Sequence, residues 1–385
     1  MNQMSSVPPH PSPRPLPPPL PAPVAFSGDR GEFRRLVTRG AGLEFVTFGF
    51  YRFWLATDMR RHLWANTHID GDAAEYTGRG RELLIGFLFA LAILVPIYLA
   101  YFIVGVEIER LKAFTSVPLF LFFYLFGQFA IYRARRYRLT RTVWRGVRFW
   151  MSGSGLAYAG RAALWGLLTM FTLGLILPWR EAALERYKMR HSYYGDLQGS
   201  FEGSGWQFFK RGWWLWPLAP IAFYVFPLAP FVYGAFKAVE WRWWLSGIRF
   251  GGVRLESTMR RSALIGLYWK YVGWIFLLGA VFIAYLALSA VVVASIDGLS
   301  LAQFSKPQVF LKSIPLLALA GLGYLALVLG INVVMRVYLL RDLWVRVLAS
   351  TTVYNVQAAA NVNALGDLAN ALGEGFADGL DVAGF

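Results

Sequence analysis

Thr47-Phe-Gly-Phe-Tyr-Arg-Phe-Trp54 runs on through Arg60-Arg-His-Leu-Trp-Ala-Asn-Thr-His-Ile-Asp-Gly71 to Glu75-Tyr-Thr-Gly78. It returns 125 residues later as Thr172-Leu-Gly-Leu-Ile-Leu-Pro-Trp179, continuing through Glu185-Arg186 and Tyr194-Gly195-Asp196 to Phe201-Glu-Gly203. Without a gap, Thr47 meets Thr172, Gly49 meets Gly174, Trp54 meets Trp179 and Arg61 meets Arg186; Tyr76 then meets Phe201, and Gly78 meets Gly203. Self-similarity at one fixed offset marks an internal repeat. The unit reads as an apolar stretch ending in TxGxxxxW, a basic amphipathic helix, and a hairpin. Asp70-Gly71 suits a type I′ turn and Gly195-Asp196 a type II′ turn. The strands are expected at 66–69 with 74–77, and at 192–194 with 199–202.

Outward from the repeat lies membrane sequence. Of 385 residues, 57% are hydrophobic and only 16% charged, against roughly 45–50% and about 25% in soluble domains. Aromatic residues reach 17%, which suits a membrane–water boundary. There is no cysteine, which excludes disulfides, thiolate metal sites and cysteine nucleophiles. Four stretches have the length and composition of spanning helices: 83–106, 113–132, 263–296 and 309–335. A fifth, 213–236, carries Pro217, Pro220, Pro227 and Pro230 and is expected to kink or break. Residues 1–25 hold ten prolines and no apolar core of a signal peptide, and read as a disordered tail.

Charge sets the expected orientation. Residues 133–148 carry Arg133, Arg135, Arg136, Arg138, Arg141, Arg145 and Arg148 with no acid, and 180–212 and 237–262 are also net basic. The connectors 107–112 and 297–308 are short and nearly neutral. By the positive-inside rule the basic segments and the N-terminus are cytoplasmic, and the clean spans pair into two hairpins with outward tips. Both flanks of 162–179 are basic, so this stretch is expected to be interfacial or re-entrant. Parallel repeat copies require that 36–56 does not cross either. Its mid-stretch Arg39 and Glu44 agree, since a charge at the bilayer centre costs roughly 2.5–3.5 kcal/mol. Basic segments after the spans, Arg141 to Phe149, Arg242 to Phe250 and Arg341 to Asn355, end in strand-forming residues. The expected fold is therefore mainly α and polytopic with internal repeats, and small cytoplasmic β-hairpins follow the membrane helices. The chain divides at 1–25 (tail), 26–78 (first copy), 79–150 (helical hairpin and arginine segment), 151–205 (second copy), 206–357 (further spans) and 358–385 (flexible acidic tail).

The doubled motif and the segment Tyr137-Arg-Leu-Thr-Arg-Thr-Val-Trp-Arg-Gly-Val-Arg-Phe149 resemble the YjgN-type family of bacterial inner-membrane proteins, over roughly residues 26–357. Copy one departs from the pattern with Phe53 where copy two has Pro178. The resemblance implies a polytopic inner-membrane protein and no particular activity.

Chemistry-bearing residues are sparse. Gln128, Lys270 and Asn332 are the polar candidates inside the spans, and Lys270 sits where a lysine snorkels. Glu181 and Glu185 lie one helical turn apart among Arg180, Arg186 and Lys188, the pattern of a salt-bridged face. His62, His68 and His191 have no metal-ligand spacing, and no phosphate loop or nucleophile motif is present. No catalytic residue, metal or cofactor is expected, so the chain is not read as an enzyme. The run Arg133–Arg148 favours contact with anionic lipid over nucleic acid, for which no reading module exists. Two functions stay open: a transporter or channel for a small solute, and a non-catalytic envelope protein that binds anionic lipid or organises partners.

Overall fold

The computed structural model describes residues 21–107, 112–297 and 313–369; residues 1–20, the two neutral connectors and most of the acidic tail fall outside them. Among the described residues, ten short strands close into one antiparallel barrel. This corrects the expectation of a mainly α protein with isolated hairpins. The strands are three to six residues long, too short for their alternation to stand out against neighbouring helices, and closure joins segments more than 300 residues apart.

In chain order the elements are β1 (Pro21–Phe26), α1 (Arg30–Val46), α2 (Arg52–Ala65), β2 (Thr67–Ile69), β3 (Asp72–Tyr76), α3 (Gly80–Glu107) and α4 (Lys112–Thr140). Next come β4 (Thr142–Trp144), β5 (Val147–Met151), α5 (Gly155–Phe171), α6 (Leu177–Arg190), β6 (Ser192–Tyr194), β7 (Leu197–Phe201), α7 (Gly205–Gly212), α8 (Leu215–Tyr224) and α9 (Ala229–Gly247). The chain then forms β8 (Ile248–Phe250), β9 (Val253–Ser257), α10 (Ile265–Asp297), α11 (Ile314–Val334), a π-helical turn (Met335–Leu340), α12 (Arg341–Ala349) and β10 (Thr351–Tyr354).

Each strand pairs with its sequence neighbours, and β1 closes the ring against β10 through Pro21↔Tyr354, Ala22↔Val353 and Pro23↔Thr352. The end of the Pro-rich tail is thus a strand. Its pairing to β2 begins only at Val24, so no proline has to donate on that side. Four hairpins share one build, a three-residue strand, a two-residue turn and a five-residue strand. Their turns are Asp70-Gly71, Arg145-Gly146, Gly195-Asp196 and Gly251-Gly252. Both φ angles are positive in the first two turns (54° and 87°, 47° and 75°), as a type I′ turn requires.

An antiparallel barrel alternates its connections between two rims. One rim carries the two-residue turns, and the other carries every helical excursion. Two excursions, α3–α4 and α10–α11, contain the long apolar helices. Gly80–Ile103, Val117–Thr140, Ile265–Ile296 and Ile314–Ala349 are each long and apolar enough to cross a bilayer. The other three, α1–α2, α5–α6 and α8–α9, are shorter helical hairpins. The proline-rich stretch breaks at Phe226–Leu228 between α8 and α9, and so returns to the rim it left.

Inside the barrel, Ala22, Trp144, Tyr194, Val253 and Val353 pack with Val356 and Ala359, which follow β10. The barrel is therefore a filled core. Residues 355–369 cross its turn-bearing mouth and continue along the wall. Asn355 donates to the Gly252 carbonyl (3.1 Å), and Asn363 donates to Asp196 through its amide side chain (2.9 Å). The Ala369 N–H reaches Thr140 Oγ1 (3.4 Å). The first part of the expected acidic tail is ordered for this reason.

Candidate functional site

The helix-bearing rim holds most of the residues singled out from sequence. Thr47 and Thr172 each end a helix, donating to the carbonyls of Leu43 (2.7 Å) and Leu168 (2.8 Å). They accept in turn from the N–H groups of Tyr51 (3.0 Å) and Ile176 (3.4 Å). Gly49 (φ 87°) and Gly174 (φ 86°) then reverse the chain. Between them and the threonines, Phe48 and Leu173 stand at φ 51° and 50° and are each 91% exposed. Each hairpin tip thus projects an apolar side chain away from the barrel.

The two tryptophans position the next helix. A Cβ at Gly80 would lie 2.8 Å from the Trp54 Cα, and one at Gly205 would lie 2.7 Å from the Trp179 Cα, so only glycine admits this approach. Tyr76 and Phe201 end the outgoing strands, each with its ring folded over the glycine two residues on, Gly78 or Gly203. Arg61 donates to the Gly78 carbonyl (2.8 Å), whereas Arg186 is exposed. The motif residues build turns and junctions, and none of them touches another to form a reactive constellation.

The arginine run is engaged by the protein itself at several points. Arg135 pairs with Glu185 (3.1 Å) and Arg141 with Glu82 (2.8 Å), while Arg145 bridges Asp70 (2.9 Å) and Asp72 (2.5 Å). Arg148 donates to the Thr140 carbonyl (2.5 Å) and Arg138 to that of Ala134 (3.4 Å). Arg133 and Arg136 are half-buried on α4. Glu185 is buried between Arg135 and Lys188. Burial by itself would raise its carboxyl, but the two cations outweigh it and hold it at about 2. Burial shifts Glu181 the other way, upward, despite its pairing with Arg180 (3.0 Å).

Within the long helices, Asn332 spends its amide on the Val328 carbonyl of its own helix (2.9 Å), and Gln128 is half-buried. Lys270 lies 4.8 Å from the Tyr338 ring centroid, with Arg30 5.1 Å from the same ring. Among the described residues no group of three His, Cys, Asp or Glu could hold a metal.

Sequence reasoning missed two features. Glu44, 5% exposed, receives both Nη groups of Arg336 at 3.0 Å, a bidentate pair 292 residues apart that joins the first helical hairpin to the last. Arg211, Arg242 and Arg261 line one cavity with Ala238, Val239 and Met259. Neither feature has a local signal, since each joins elements distant in the chain.

A family model described as a bacterial protein of unknown function (DUF898) matches residues 21–236. No curated protein and no solved structure matches the chain.

Proposed function

The chain belongs to the bacterial DUF898 family, whose function is unknown, and from its geometry we propose a non-catalytic, multi-pass protein of the inner membrane. It holds a closed β-barrel against the cytoplasmic face, where the helix-bearing rim meets anionic lipid and the outer barrel offers a surface to partner proteins. We read the five strand–helical hairpin–strand excursions as variants of one repeated unit.

One observation carries this reading: every helical excursion leaves and returns to the same rim. An excursion of this kind crosses the bilayer twice or not at all, which supports a barrel lying wholly on one side. The apolar tips at Phe48 and Leu173, and Tyr224 at the α8–α9 break, suit shallow insertion from that side. Basic loops between the spans favour the cytoplasm for the barrel.

Transport has less support. Asn332 and Lys270 are taken up by a helix carbonyl and a tyrosine face, so neither supplies a free polar lining.

The chain has no cysteine of its own, so a single introduced thiol reports its side of the membrane without background. Asp70→Cys and Asp196→Cys in cells should both resist a membrane-impermeant maleimide until the cytoplasm is opened. Labelling of either from outside intact cells would end this reading. Solute flux in proteoliposomes that is lost on Asn332→Leu would restore transport.

A further inference from the structure

We propose that Arg211, Arg242 and Arg261 form a binding site for a phosphate group, filled by the headgroup of an anionic phospholipid. This rests on the placement of the helix-bearing rim at the lipid surface.

The three arginines come from three elements: α7, α9 and the link between β9 and α10. They converge on a cavity of about 120 Å³ whose remaining lining, Ala238, Val239 and Met259, is apolar. At about 30 Å³ per water this holds about four waters, enough for a tetrahedral oxyanion. No carboxylate lines it. Several other arginines of the rim find acids: Arg135 has Glu185, Arg141 has Glu82, Arg249 has Glu202 and Arg336 has Glu44. The side chains of Arg211, Arg242 and Arg261 have no hydrogen bond or ion pair among the described residues; Arg211 is half-buried and the other two are exposed. Burial, and after it the charges of Arg242 and Arg261, lower the proton affinity of the Arg211 guanidinium. Three cations gathered around one cavity without an acid favour an anion there, and guanidinium forks match phosphate oxygens in geometry.

The surroundings choose the lipid source. Trp206 and Trp213 on and beside α7 are more than half exposed, as at a membrane interface. The α8–α9 hairpin, which bears the exposed Tyr224 at its end, rises next to the site. A second cavity of about 230 Å³ shares Arg211 and adds Gln207, Ser246 and Arg249, the last paired with Glu202, which also lines it. Its mixed polar lining suits the hydroxyls of a glycerol headgroup.

The test is lipid retention by the full chain, measured by native mass spectrometry after release from nanodiscs of phosphatidylcholine with or without phosphatidylglycerol. The wild type should retain phosphatidylglycerol. Arg211→Gln, Arg242→Gln and Arg261→Gln should each weaken retention about tenfold, the scale of one charged hydrogen-bonded contact. The charge-matched set Arg34→Gln, Arg35→Gln and Arg39→Gln removes the same charge from exposed positions of α1 on the same rim and should weaken retention much less. Equal loss from both sets would show diffuse charge attraction and overturn the site, as would no loss from the first. Inorganic phosphate supplies the other arm. Competition only at millimolar levels supports the headgroup, whereas tight phosphate binding with no lipid retention would overturn the lipid assignment. Arg211→Lys keeps the charge and loses the fork, so its retention should stay close to that of Arg211→Gln; recovery to the wild-type level would overturn the forked site. The cysteine labelling at Asp70 fails or succeeds separately, because phosphate binding in detergent does not depend on which side the barrel occupies.

Discussion

Glu44 is the residue whose position most needs a physical account. It is buried near the C-terminal end of α1, where a carboxylate needs a partner, and both Nη nitrogens of Arg336 provide it at 3.0 Å. Arg336 stands in the π-helical turn Met335–Leu340, a widening of the helix that often accompanies a constrained side chain. Removing one partner strands the other charge, so Glu44→Gln or Arg336→Met should each cost about 3–5 kcal/mol. The pair Glu44→Leu with Arg336→Met should recover most of that loss, and thermal unfolding in detergent measures both. Glu185 gives a pH dependence of definite sign. Its folded-state value near 2 lies below the ordinary 4.5, so its contribution is complete above pH 4.5 and is lost as pH falls toward 2. Thermal midpoints taken between pH 6 and pH 3 should fall for the wild type, and this part of the fall should be absent in Glu185→Gln.

At the scale of elements, the helical hairpins α1–α2 and α5–α6 repeat one solution. A threonine closes the first helix, a residue with positive φ carries an exposed apolar side chain, and a glycine completes the reversal. A non-glycine residue in that conformation costs roughly 1–2 kcal/mol. The cost is offset if the projecting Phe48 and Leu173 side chains leave water for lipid, since burying such a side chain returns about 1.5–3 kcal/mol. A nitroxide at Leu173→Cys should therefore collide more often with dissolved oxygen than with a polar nickel chelate. A label at Asp196→Cys, on the opposite rim, should show the reverse, and equal nickel access at both would contradict tip insertion.

For the whole molecule, the seam between β1 and β10 is the decisive joint. Ten short strands leave no free edge once closed, whereas a sheet opened at this seam would expose the edges of β1 and β10. Ala22 and Val353 are direct partners across the seam and both point into the core. Their Cα separation as paired residues falls in the range a disulfide spans. Ala22→Cys with Val353→Cys should cross-link on mild oxidation and shift mobility on a denaturing gel. Failure to cross-link would mean the ring is open.

Composition, apolar run lengths and the 125-residue offset made the membrane helices, the hairpin at Asp70-Gly71 and the family resemblance legible, because these depend on residues near one another in the chain. Proline spacing likewise foretold the break between α8 and α9. Barrel closure was not legible: strands of three to five residues carry too little alternation, and the closing strand Pro21–Phe26 sits inside a segment whose prolines read as disorder. The same holds for Glu44 with Arg336 and for the meeting of Arg211, Arg242 and Arg261. Such contacts between distant segments are set by the closed ring, which fixes every excursion on one rim and so decides which charges face each other.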